Sequence, residues 1–290
     1  HTTENIAEGE GYAGWGENTG LAAAPFRQIV TGAVSGSWWT GDLNDQGVPH
    51  GTQRLGSPRG YYTLEFSGSD YVDTYNTFDE NGGEGLHAAF NTPRFRDWAG
   101  DLLAYLDLYG APSDVLPPVT VNDLGDIWML TRDDLEGGTW LAVNVWNGSK
   151  DSTVSVSING GAPLSGDRTQ AGTGEAKLRG PEHADPWAMF KQGTNGRMTF
   201  RSARGGDETA GFQSWQGTQW QGVAGPLASW LMTDNSQHLW RVDLPADLPA
   251  GVHSMEVSTT DRHGRTFARS YMFEVVEDLP QMTWQTRYWQ

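Results

Sequence analysis

Val252-His253-Ser254-Met255-Glu256-Val257-Ser258-Thr259, then Asp261-Arg262-His263-Gly264, then Thr266 through Val276: this stretch near the C-terminus decides the fold. Its residues alternate with period two, which places Val252, Ser254, Glu256 and Ser258 on one face and His253, Met255 and Val257 on the other. The second set predicts the buried face. A Gly that can take positive φ sits in the four-residue link, so the stretch predicts an antiparallel hairpin turning at Arg262–Gly264.

Outward from that hairpin, the same reading predicts further strands over Phe26–Val34, Tyr61–Phe66, Tyr71–Phe78, Thr139–Trp146, Thr153–Ile158 and His238–Leu244. One segment has a helical period instead. Trp98, Leu102, Tyr105, Leu106 and Tyr109 predict an amphipathic helix from Asp97 to Tyr109 lying on a sheet, with Asp97 as N-cap and Gly110 and Pro112 as stops. Shorter helices are expected at Asp185, with Pro186 in the first turn, and at Pro226. The Gly-, Ser- and Thr-rich stretch Asn159–Arg179 reads as a long loop, and Pro117-Pro118 as the best boundary. Strands outnumber helices, so the fold class is mainly β with a minor α+β component.

Composition narrows the function classes. The chain has 290 residues, no cysteine, and 36 acidic against 19 basic residues for a formal net charge of −17. An acidic surface without clustered Lys and Arg predicts no nucleic-acid binding. No apolar run approaches the roughly 20 residues of a membrane span. Zero cysteines exclude a disulfide framework, a thiolate metal site and a cysteine nucleophile. The sequence holds no nucleophile elbow, no His-Glu-x-x-His and no phosphate loop. Of the seven histidines, His238 and His253 fall on predicted strands and read as hydrogen-bonded structural residues.

His1 is no initiator and no signal peptide follows it, so the expectation is a chain that opens partway through a larger protein. Several blocks then matter together. Gly32-Ala33-Val34-Ser35-Gly36-Ser37-Trp38-Trp39-Thr40-Gly41, Gly47-Val48-Pro49 and Gly56-Ser57-Pro58-Arg59-Gly60-Tyr61 come first. Trp140 through Trp146, His238-Leu239-Trp240, Pro249 through His253 and Asp261 through Arg265 follow in order. This succession resembles the C-terminal portion of bacterial calcineurin-like metallophosphoesterases: the end of the catalytic domain followed by the family's C-terminal β domain.

The resemblance implies an organisation and a chemistry. Residues 1–60 would form the C-terminal edge of the metallophosphoesterase sandwich, 61–118 a connecting β/α segment, 119–279 a β-sandwich-like C-terminal domain, and 280–290 a tail whose two Trp pack back on the body. His1 would be the last histidine of the family's Gly-His-x-His motif and a metal ligand, one of those holding two divalent ions in the intact enzyme; a cloning remnant is the other reading. Trp38 and Trp39 would lie near substrate, with ordinary core packing as the competing use, and Ile6–Gly20 would loop beside the active-site mouth. No catalytic residue is assigned within the chain. The implied partners are the upstream catalytic portion and a phosphate mono- or diester, the location periplasmic or extracellular, and the chain alone inactive. The alternative function is a carbohydrate-binding or purely structural β module, since fourteen Trp offer stacking faces.

Overall fold

The computed structural model describes residues 3–32, 55–77, 85–109, 118–119, 121–191, 213–216, 219–222 and 236–280. In chain order these form β1 (Thr3–Ile6), α1 (Trp15–Thr19), β2 (Gln28–Thr31), β3 (Gly60–Ser67), β4 (Asp70–Thr77), β5 (Leu86–Asn91) and α2 (Pro93–Tyr109). A 3-10 turn at Val121–Leu124 leads to β6 (Met129–Thr131), α3 (Arg132–Glu136), β7 (Trp140–Val145), β8 (Thr153–Ile158), β9 (Leu164–Ser165) and β10 (Asp167–Arg168). After helical residues 186–191 come β11 (Gln213–Gln216), β12 (Gln219–Gly222), β13 (Leu239–Asp243), β14 (Gly251–Thr260) and β15 (Thr266–Val276). The fold is mainly β.

Two sheets carry the body. One runs β10-β13-β7-β5 and the other β6-β15-β14-β8-β9. Their inner faces share a single core: Leu86, Ala88 and Phe90 of β5, Leu141, Val143 and Val145 of β7, and Trp240 and Val242 of β13 meet Val154 and Val156 of β8, Met255 and Val257 of β14, and Phe273 and Val275 of β15. Alternation puts every second side chain of each strand into that layer, the expected way for two sheets to remove apolar area from water. The β14–β15 hairpin is the longest pairing, with Gly251 opposite Val275 and Thr260 opposite Thr266. His253, Met255 and Val257 are buried while Val252, Ser254 and Glu256 face water, as the alternation predicts. Gly264, at φ 77°, supplies the left-handed residue of the turn, and its amide donates to the Asp261 carbonyl.

Among the described residues three two-stranded ribbons stand outside these sheets: β1 pairs with β2, β3 with β4 and β11 with β12.

Several expectations need correction. The long helix begins at Pro93, four residues before Asp97, because Thr92 Oγ1 accepts from the Phe95 amide at 3.0 Å and Pro93 fits the first helical position. Its apolar residues Phe95, Trp98, Ala99, Leu102 and Leu106 pack with Val121, Leu124, Ala184 and Met189. Arg96 reaches the sheet by lying 4.3 Å from the centre of the Trp140 ring. The stretch 159–179 is not all loop: β9 pairs with β8 and β10 with β13. Nor is 6–20, which holds the single-turn α1. Strand β5 gave no period-two signal because five of its six residues are buried, leaving no polar face to alternate; it bonds along its whole length to β7. The helix expected at Asp185 is present, and Asp185 Oδ1 caps it by accepting from the Ala188 amide at 3.0 Å. His1, Trp38, Trp39, the Pro226 helix and the 281–290 tail lie outside the described residues.

Because Met255 is 1 % exposed at the centre of the shared core, Met255→Ala is expected to cost about 2–5 kcal/mol, while Glu256→Ala on the wet face costs within about 0.5 kcal/mol. Urea unfolding of the two variants checks the assignment of faces.

Candidate functional site

Two nodes gather many of the polar residues that the fold draws inward. The first lies on the outer face of the four-stranded sheet, where β5, β7 and β13 place His87, Asn144 and Leu239 side by side. His87 Nε2 lies 2.7 Å from Asp185 Oδ2, the Asn144 amide donates to the same oxygen at 2.5 Å and to the Leu55 carbonyl at 2.6 Å, and His238 Nδ1 lies 2.8 Å from Asn144 Oδ1. The Trp146 indole donates to His87 Nδ1 at 3.0 Å. Nδ1 is taken up by that bond, and Nε2 faces Asp185. Both nitrogens are therefore spent, and His87 has no lone pair left to act as a general base.

Asp185 sits wholly inside this node. Burial would raise its carboxyl, but the His87 ring beside it, the hydrogen bond from that ring, the Ala188 amide and the Asn144 amide outweigh burial and hold it below the ordinary carboxylate range. Gly56 passes directly over the pair at φ 90°, and a Cβ there would overlap both Asp185 Oδ2 and Asn144 Nδ2. The Gly56–Tyr61 block, the Trp140–Trp146 strand and His238-Leu239-Trp240 thus converge on one buried polar cluster.

The second node gathers more distant parts of the chain. Asp73 on β4 is fully buried. Its Oδ1 accepts from Arg262 Nε at 2.9 Å, from Arg262 Nη2, and from His263 Nε2 at 2.9 Å, which must carry its proton to face a carboxylate. Its Oδ2 accepts from the Asn147 amide and from Asn5 Nδ2 at 3.4 Å. Burial would raise this carboxyl too; the bonds from Asn147, His263 and Arg262 overcome that and keep it low. Arg265 grips the same strand with its guanidinium, donating to the Asp73 backbone carbonyl and to the Thr74 hydroxyl Oγ1, each at 2.7 Å. Beside the node is an open cavity of about 410 Å³ lined by Glu65, Ser67, Asp70, Tyr71, Arg262 and His263, among others. Arg262 lies over the Tyr71 ring at 5.0 Å.

A third contact fixes the N-terminal segment. Buried Glu10 pairs with Arg168 of β10 and accepts from the Ala7 amide at 2.5 Å, while Gly11 exchanges backbone bonds with Gly172 and Gly174. Burial drives the neighbouring Tyr12 hydroxyl up to about 12. Arg27 bridges Asn5 and Asp151.

Chemically, these arrangements hold chain segments in place. The buried carboxylates Glu10, Asp73 and Asp185 are each saturated by donors, and among the described residues no group of three or more His, Asp or Glu converges as a metal site. The described donor set therefore does not make up a dinuclear centre. His238 and His253 sit where the sequence placed them, on or beside inner strands; His253 Nε2 donates to the Pro249 carbonyl and Nδ1 accepts from Asn159, both at 2.8 Å, and the ring stacks on Phe273. His1, Trp38 and Trp39 lie outside the described residues. Sequence reasoning missed His87, Asn144, Asp185, Asn5 and Asp73; the available signal was at Asn144, the one polar residue in the apolar run Trp140–Trp146. The rings of Trp98, Trp140, Trp146 and Trp240 are covered and offer no face for stacking a sugar.

Asp73 titrates below its unfolded value of about 3.9, so its node adds stability above that pH and loses it as pH falls through the native value. Asp73→Asn is expected to lower stability at neutral pH and to shrink the loss below about pH 4, with Asp185, Asp151 and Glu175 among the groups that keep some slope. Urea titrations across that range measure both effects.

The family described as the C terminal of calcineurin-like phosphoesterase matches residues 29–201 and 185–267. No curated protein and no solved structure gave a match. No helix among the described residues is long and apolar enough to cross a membrane. The matched stretch covers most of the chain and includes Asp73, His87, Asn144, Asp185 and the Asp261–Arg265 turn, so the chain belongs to the C-terminal region of the calcineurin-like phosphoesterases, a metal-dependent family.

Proposed function

We propose that this chain is the C-terminal part of an enzyme that hydrolyses phosphate mono- or diesters with a metal-bound hydroxide, working outside the cytoplasm, in the periplasm or beyond. The family match over residues 29–267 carries the reading. In it, the catalytic centre is completed by an upstream portion of the same protein, and the role of the described residues is to receive and fix the strand that enters from that portion. β1 begins at Thr3, two residues after His1, and is anchored through Asn5 and, a few residues on, through Glu10. His1 would then be the last imidazole ligand of a two-ion centre, where a neutral nitrogen donor suits a divalent metal and the ions would supply Lewis-acid activation and charge stabilisation. Trp38 and Trp39 belong beside the substrate in this reading.

The saturation of Glu10, Asp73 and Asp185 supports a further expectation. Purified on its own, the 290-residue chain turns over no chromogenic phosphodiester with added Mn²⁺ or Zn²⁺, whereas the protein extended upstream does so with two ions bound. In the extended protein His1→Ala lowers turnover by orders of magnitude and releases metal, while His253→Ala keeps both ions and loses about 1–3 kcal/mol of stability. Metal-dependent turnover by the isolated chain, or full activity and two ions in the His1 variant, contradicts the proposal.

A further inference from the structure

Neither β1–β2 nor β3–β4 has a reason to stay folded alone, since an isolated hairpin in water is marginal and neither adds a strand to the main sheets. Glu10–Arg168 and Arg27–Asp151 also tie the first to the body, but the two ribbons meet at one carboxylate. From β4, Asp73 reaches the β14–β15 turn by Oδ1 and the Asn147 loop by Oδ2; from β1, Asn5 reaches Oδ2 of Asp73 and also Asn147 Oδ1 at 3.0 Å. Asn5, Asp73, Asn147 and Arg262 come from four separate parts of the chain. A charge with no exposure cannot lose Arg262 or His263 and stay where it is, because the uncompensated carboxylate must then be rehydrated. Rehydration means moving β4, and moving β4 breaks the bond to Asn5. The node therefore has two states, closed and dry or open and wet, with little between.

We propose that β1–β2 and β3–β4 release from the sandwich as one unit, with Asp73 as the latch and the Asp261–Arg265 turn as its catch. The charged and titratable groups facing the latch are Arg262 and His263 from the turn, Arg265 on its backbone, and Tyr62 and Tyr75 from the ribbon itself. The inference concerns this chain alone and stands whether or not the phosphoesterase reading is right.

Hydrogen exchange on the purified chain tests it. In Arg262→Ala, the amides of Thr3–Ile6 and those of Gly60–Thr77 should lose protection together, by about tenfold or more, the scale of one lost charge-assisted hydrogen bond. Amides of Trp140–Val145 and Gly251–Thr260 should keep theirs. Asn5→Ala approaches from the other end and should expose β3–β4 likewise; it also serves if Arg262→Ala does not fold. Loss confined to β3–β4, with β1–β2 still protected, would mean that Glu10–Arg168 and Arg27–Asp151 hold the first ribbon independently, and it overturns the proposal, as does no change in either ribbon.

Discussion

A carboxylate removed from water must be compensated where it sits, and Asp73 is compensated by groups that the chain brings from its two ends. Stripping its hydration costs several kcal/mol, which its partners must offset. Arg262 and His263 can do so only when the β14–β15 turn is formed, and Asn5 only when β1 is docked. One buried charge thereby makes the docking of the N-terminal strand, the β3–β4 ribbon and the C-terminal hairpin mutually dependent. The apolar core alone would not achieve this, because hydrophobic burial is non-directional and tolerates many arrangements.

The same division of labour recurs at Asp185. The sandwich core between the sheets supplies the bulk of the apolar burial, while the outer face of the four-stranded sheet uses His87, Asn144 and Asp185 to fix how the 55–60 segment and the 183–191 segment lie against it. Gly56 is required there by space and by backbone conformation alike. Four of the blocks that carry the family resemblance, Gly56–Tyr61, Trp140–Trp146, His238–Trp240 and Asp261–Arg265, supply partners to the two nodes, while Asp73, His87 and Asp185 lie outside them.

Much of this was legible in the sequence where one face of an element is wet. The β14–β15 hairpin, β3, β4, β8 and β13 all follow from alternation and turn residues, and the cap at Asp185 follows from Asp-Pro chemistry. β7 was legible although all six of its residues are buried, but other elements wetted on neither face were not. β5 is apolar nearly throughout, and β6, β9 and β10 are two or three residues long and exist only because a longer neighbour offers them hydrogen bonds. The start of α2 was misplaced because Asp97 and Thr92 are both acceptable caps, and Pro93 decides between them only once the backbone is seen. The nodes were hidden for a different reason: Asp73 and Arg262 are 189 positions apart, and nothing local distinguishes a buried Asp from the many solvated ones in so acidic a chain.

Asp73 couples the two ribbons to the turn, and a double-mutant cycle between Asn5 and Arg262 measures that coupling directly. The two side chains meet opposite oxygens of the same carboxylate. If the node acts as a unit, removing either partner already opens it, so urea unfolding of Asn5→Ala, Arg262→Ala and the double variant should show an interaction energy of at least about 0.5 kcal/mol, the double costing less than the sum. Additivity within about 0.3 kcal/mol would show two independent contacts and contradict the central claim.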